Sequence, residues 1–101
     1  MILYNVTVNV EDSVHAEWFS WMKQIHIPEV MATGKFSDWK MYKILTRQPD
    51  ESGVTYSIQY FAKNIEDYNA YQRDHAPALQ LKTMQKYGEK LMAFRTVLET
   101  V

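Results

Sequence analysis

Apolar and polar positions alternate from the first residues of the chain. Ile2, Tyr4, Val6, Val8 and Val10 share one parity; Leu3, Asn5, Thr7 and Asn9 share the other. A period of two with this much valine predicts a strand over residues 2–10 with one face in a core. Glu11-Asp12-Ser13 breaks the pattern, and Asp12 or Ser13 can cap a helix by accepting from a free first-turn N–H. Val14, Trp18, Trp21, Met22 and Ile25 then follow at helical spacing. Pro28 lacks an N–H and disfavours a helical residue before it. The helix is therefore predicted to break or kink near Ile27, with a short second piece from Pro28 and Gly34 as a left-handed closing residue.

Residues 35–47 read as a second strand, with Tyr42, Ile44 and Thr46 on one parity and Trp39, Met41 and Leu45 on the other. Lys40, Lys43 and Arg47 interrupt both faces, as on an edge strand. Gln48 to Gly53 is a turn. Residues 54–62 alternate cleanly, with Val54, Tyr56, Ile58, Tyr60 and Ala62 against Thr55, Ser57, Gln59 and Phe61. Asn64 is placed to cap a second helix, and Glu66 and Asp67 suit its positive first turn. Its apolar stripe runs through Ile65, Tyr68, Tyr71 or Gln72, and His75, is interrupted by Pro77, and resumes at Leu81, Met84 and Tyr87 before Gly88. Residues 90–100 form a last strand, with Met92, Phe94 and Leu98 opposed in parity to Leu91, Ala93, Arg95 and Val97.

The order β-α-β-β-α-β defines an α+β, ferredoxin-like sandwich in a single domain over residues 1–101. Right-handed crossovers place strands one and three at the centre of an antiparallel sheet. Both halves run strand, helix, H-x-P, glycine, strand, through His26-Ile27-Pro28 with Gly34 and His75-Ala76-Pro77 with Gly88. Two helices cover only one sheet face. The other carries Leu3, Phe61 and one parity of strand four among Asn5, Thr7, Asn9, Thr55, Ser57 and Gln59, with Arg95 grouped there too. A second copy of the same sheet would cover it, so a homodimer is expected, with the polar positions as its hydrogen-bonded seam.

Composition narrows the function. Apolar residues are 47% of the chain, enough for a core, and the net charge is -1 with no basic run, which disfavours nucleic acid and membrane as partners. There is no cysteine, so disulfides, thiolate catalysis and cysteine-ligated metal drop out. The opening residues lack a signal-peptide pattern and no apolar run approaches the ~20 residues of a membrane span, so a soluble cytoplasmic protein is expected. No phosphate loop, dinucleotide fingerprint or G-x-S-x-G is present, and no cofactor is expected. Neither H-x-x-x-H nor H-E-x-x-H occurs, and no metal site is expected.

Taken as a whole, the chain resembles the dimeric α/β-barrel superfamily, and within it an uncharacterised bacterial domain-of-unknown-function family numbered 4286. The resemblance rests on Ile2-Leu3-Tyr4-Asn5-Val6-Thr7-Val8-Asn9-Val10, Trp18 with Trp21-Met22, His26-Ile27-Pro28 through Thr33-Gly34-Lys35-Phe36, Gly53 through Tyr60, and Ala93-Phe94-Arg95-Thr96. It implies the fold and a homodimer, and no activity.

The candidate chemistry is histidine and aromatic. His26 is the candidate general base, since an unperturbed imidazole titrates near ~6.5. The structural reading, preferred for both His26 and His75, has each imidazole closing a helix end by bonding free carbonyls. His15 lies in a first helical turn and is expected to be exposed. Tyr4, Trp18, Trp39, Tyr56, Tyr60 and His75 are candidate ligand-binding residues of an aromatic pocket between helices and sheet, although such stripes are more often plain core. Three functions are compatible with this: a homodimeric small-molecule binding or sensing module; a cofactor-independent enzyme, monooxygenase- or isomerase-like, acting on a small aromatic or acidic metabolite; or a purely structural assembly module. A pocket of roughly 300 Å³ or more holding His26 favours the first two, and a packed interior the third.

Overall fold

The computed structural model describes residues 1–101. Its elements are β1 (Ile2–Val10), α1 (His15–Trp21), α2 (Ile27–Ala32), β2 (Asp38–Lys43), β3 (Val54–Ala62), α3 (Ile65–Asp74), α4 (Ala76–Tyr87) and β4 (Leu91–Glu99). The strands form one antiparallel sheet in the order β2-β3-β1-β4, with β1 and β3 central. This is the ferredoxin-like arrangement. The even positions of β1 and β3 pack under the helices, where Tyr4, Val8, Val10, Tyr56, Ile58, Tyr60 and Ala62 join one core with Trp18, Ile27 and Val30. No helix is long and apolar enough to cross a membrane.

The ends of β1 and β3 agree with the alternation, whereas β2 is shorter than predicted and stops at Lys43. Neither Asp12 nor Ser13 caps α1: residues Asp12–Val14 form a 3-10 turn, and the Ser13 hydroxyl donates to Glu11 Oε1 at 3.0 Å. Asn64 does cap α3, its Oδ1 accepting from the Asp67 N–H at 2.9 Å.

The first helical arm does not break at Ile27. Residues Met22–His26 form a π-helical segment that joins α1 to α2, and the Ile27 N–H reaches the carbonyl of Met22. A widened turn of this kind makes room for Pro28, which offers no N–H and would otherwise crowd the carbonyl four residues back. The wider turn also rotates the residues that leave it. Ile25, expected on the inward stripe, is 47% exposed, and His26 takes the inward place. In the second arm the break falls at His75 (φ −126), one residue before α4. The buried stripe of α4 is consequently Ala76, Leu79 and Tyr87; Leu81 and Met84, expected on it, are exposed.

On the open face, Asn5, Thr7, Asn9, Thr55, Ser57 and Gln59 form a cross-strand ladder. Ser57 Oγ donates to Asn5 Oδ1 at 2.6 Å and Asn9 Nδ2 donates to Thr55 Oγ1 at 3.0 Å. Arg95 does not belong to it. Register pairs Arg95 with Val6 and Val97 with Tyr4, which puts both β4 residues on the helix side.

Gly34 and Gly53 both hold positive φ, at 75 and 76°. A Cβ at Gly34 would meet open space, but at Gly53 it would lie 2.6 Å from the Val10 carbonyl oxygen. Gly34→Ala is expected to cost about 1 kcal/mol from backbone strain alone. Gly53→Ala is expected to cost clearly more in urea unfolding; equal losses would show that the Val10 contact relaxes freely.

Candidate functional site

A cavity of about 170 Å³ lies between the helices and the sheet. Its floor is Tyr4, Val6 and Val8 of β1, Ile58 and Tyr60 of β3, and Ala93 and Arg95 of β4. Trp18, Met22, His26 and Val30 line it from the first arm, and Tyr71, Leu79, Thr83 and Met84 from the second. The first-arm residues recur every four positions. At 100° per residue a regular α-helix would carry such a row progressively off one face. The π-helical segment, with more residues per turn, keeps His26 in line with Trp18 and Met22. The cavity holds His26 but is smaller than the ~300 Å³ at which drug-sized ligand sites begin. It is close to the roughly 150 Å³ that admits a benzene ring.

Tyr4, Tyr60 and Tyr71 are each at least 95% buried, by residue exposures of 2, 2 and 4%. Their rings cluster around Phe36, with Phe36–Tyr71 centroids 4.8 Å apart and Phe36–Tyr60 5.3 Å. None of the three hydroxyls has a hydrogen-bond partner in the chain, yet none is sealed: the only buried side-chain oxygen left without a partner is that of Tyr87. Each hydroxyl thus keeps some accessible surface, and all three residues line the cavity. Burial, reinforced by the Tyr71 and Tyr4 phenols, pushes Tyr60 far above the usual phenol range; Tyr71 is raised by burial and Tyr4, against the pull of Arg95. Both stay neutral donors at physiological pH.

His26 stacks on Trp21 with centroids 4.9 Å apart and has no hydrogen bond within the chain. The preferred structural reading, an imidazole bonded to free helix carbonyls, therefore does not describe it. Burial holds its pKa down to about 4, with Arg95 and Lys82 adding to the shift and Glu29 opposing it. Its lone pair is free at neutral pH.

Of the residues singled out from sequence, Tyr4, Trp18, Tyr60 and His26 meet at the cavity, while Trp39, Tyr56 and His75 lie outside its lining. Trp39 sits on β2 under the Lys23 ammonium, 5.3 Å from the ring centroid. Tyr56 is bonded at 2.7 Å to His15 Nε2, and the two rings stack 5.6 Å apart. His15 is accordingly half-buried rather than exposed. His75 marks the α3–α4 junction, where its backbone N–H donates to the Tyr71 carbonyl at 2.9 Å; its imidazole makes no hydrogen bond, so the expected closure of a helix end by the ring does not describe His75 either. Arg95 and Tyr71 are the residues that sequence reasoning missed at the cavity. Tyr71 was legible as an alternative to Gln72; the face of Arg95 needed the β1–β4 register. The chain forms no cluster of three or more side chains able to hold a metal ion.

The sheet order, the helical layer on one face and the open second face define a ferredoxin-like α+β fold. Among solved structures, a protein of the ethyl tert-butyl ether (ethd) family from Bacillus halodurans superposes with TM-score 0.67 and 16% identity, covering 100% of both chains. A candidate antibiotic biosynthesis monooxygenase from Deinococcus radiodurans superposes with TM-score 0.60 and 11% identity, covering 100% of this chain and 93% of the other. At these identities the likeness is one of fold. The chain belongs to the family of the domain of unknown function DUF4286, whose model matches residues 1–101. No curated protein matches it.

Proposed function

We propose that this protein is a homodimeric small-molecule binding module whose ligand is a compact, single-ring aromatic compound held between the helices and the sheet. One observation carries the reading: Tyr4, Tyr60, Tyr71 and His26 line one cavity, and neither the three hydroxyls nor the imidazole has a hydrogen-bond partner in the chain. Buried polar groups ordinarily have hydrogen-bond partners, and a ligand with acceptor groups would supply them. The apolar walls suit a ring and the volume limits it to about one. Native mass spectrometry of protein purified under mild conditions is the test. A bound compound of single-ring size is expected, at up to one per chain. A large lipid or nucleotide in its place would refute the assignment.

The same imidazole favours a second reading, a cofactor-independent enzyme that removes a proton from its bound substrate. An imidazole that stays neutral and unpartnered can act as a general base. Exchange of the α C–H of a bound aryl alkyl ketone with D2O, lost in His26→Gln while binding persists, would identify this activity; exchange retained in His26→Gln would exclude His26 as its base. An existing cavity is the observation against pure assembly.

The second copy is proposed to dock on the open sheet face. In the isolated chain Met92 is 76% and Phe94 64% exposed there, alongside Tyr42 and Leu98. Apolar side chains in such a row around a polar ladder suit a two-fold seam burying on the order of 1,200–2,000 Å² in total. Phe94→Asp is expected to yield monomers in sedimentation at micromolar concentration, because it would desolvate a charge without a partner. Glu17→Ala, on the helical side, is expected to leave the dimer intact. A monomeric parent protein would rule the seam out.

A further inference from the structure

Arg95 lines the cavity and is itself exposed to solvent. It projects from β4 on the helix side, opposite Val6, among the lining residues. No carboxylate of the chain neutralises it. The ion pairs join Arg73 to Asp74, Lys82 to Glu29 and Lys86 to Glu17. Glu29, the acidic group that acts on His26, is thus already held by Lys82 at 3.1 Å. The hydrogen bonds made by arginine side chains belong to Arg47 and Arg73. Arg95 is nevertheless close enough to His26, Tyr68 and Tyr71 to influence the charge of each. The cavity therefore has a cation and neutral phenol donors in its lining and no anion of its own.

Resting on the proposed binding role, we propose that the ligand is a small aromatic monoanion, and that Arg95 is the residue that selects it by pairing with its carboxylate or comparable acidic group. The guanidinium fork matches a carboxylate in two parallel hydrogen bonds. The ring then lies inward between Trp18 and the sheet, with the Tyr60 and Tyr71 hydroxyls available to any further oxygen on it. A neutral ring of the same size would fill the same space but leave Arg95 without a partner.

The test pairs single-ring acids with their amides: benzoate with benzamide, salicylate with salicylamide, and phenylacetate with phenylacetamide. Each is titrated into the parent protein at pH 7, and binding is followed by tryptophan fluorescence, since Trp18 lines the cavity. At least one acid is expected to bind about tenfold or more tightly than its amide, in keeping with a charge-assisted hydrogen bond. In Arg95→Gln that preference should vanish while the amide binds as before, and Arg95→Lys should restore part of it. Arg95 is exposed, so melting temperature should change little in either variant. Acid and amide binding equally, in parent and Arg95→Gln alike, would overturn the selection of an anion and leave the ring-binding role standing. Saturable binding by none of the six compounds would overturn both.

Discussion

Trp18→Ala is expected to destabilise the protein by about 3–5 kcal/mol, the largest loss foreseen for a single substitution. Trp18 is 1% exposed and is among the largest fully buried side chains. It spans two environments: its ring packs on Tyr56 at 5.2 Å on one side and lines the ligand cavity on the other. Truncation would remove the dispersion contacts with Tyr56 and enlarge a void that no helix can collapse to fill, because α1 is tied to α2 through the π-helical segment. Against a domain stability of roughly 5–15 kcal/mol, such a loss leaves little margin. Trp39→Ala is the comparison. Trp39 is half-buried on the edge strand β2, so its loss should cost far less. Urea unfolding of both variants at one fixed protein concentration is the measurement. Equal losses would mean that Trp18 is not the pillar between helix and sheet.

The second large effect is acid sensitivity at His26. In the folded chain its pKa is about 4, against 6.5 for an unperturbed imidazole. Between those values the unfolded chain binds the proton and the folded chain does not. Stability is therefore unaffected above about pH 6.5, falls as pH drops toward about 4, and then levels off. The shift corresponds to at most about 3.5 kcal/mol, since each pKa unit is worth about 1.4 kcal/mol, and residual solvent access reduces the effect. His26→Gln cannot take up a proton, so its melting temperature should decline less between pH 7 and pH 4.5 than that of the parent. At pH 7 the same variant should lose little stability, because the imidazole has no hydrogen bond to lose. Parallel pH profiles would show that His26 is solvated. A large loss at pH 7 would reinstate a structural role.

What could be read in the sequence divides along physical lines. Ile2–Val10 and Val54–Ala62 are central strands with one buried face, and a strict period of two marks such strands to the residue. The helix faces were harder. A 3.6-residue period presumes a uniform helix, and the π-helical turn at Met22–His26 exchanges Ile25 for His26. Pro28 signalled a disturbance but not its kind: a break and a widened turn both relieve the missing N–H. The restart of α4 at Ala76 likewise moved the buried stripe to Leu79 and away from Leu81 and Met84. At the site, Tyr4 and Tyr60 were legible because cross-strand partners at positions of one parity must share a face. Arg95 was not, because both parities of β4 mix apolar and polar residues, and only its pairing with β1 decides which faces the helices. Tyr56 and Trp39 share the inward face but sit beside the cavity, a distinction that depends on where the helices cross the sheet.

The cavity as a ligand site is tested most directly by filling it. Ala93 lines it from the edge strand β4, where a larger side chain can enter without disturbing the central core. Ala93→Leu should keep the fold and the dimer. Titrated with the tightest of the single-ring acids, it should lose binding by tenfold or more relative to the parent protein. Undiminished affinity in a folded Ala93→Leu variant would place the ligand elsewhere and contradict a site between the helices and the sheet.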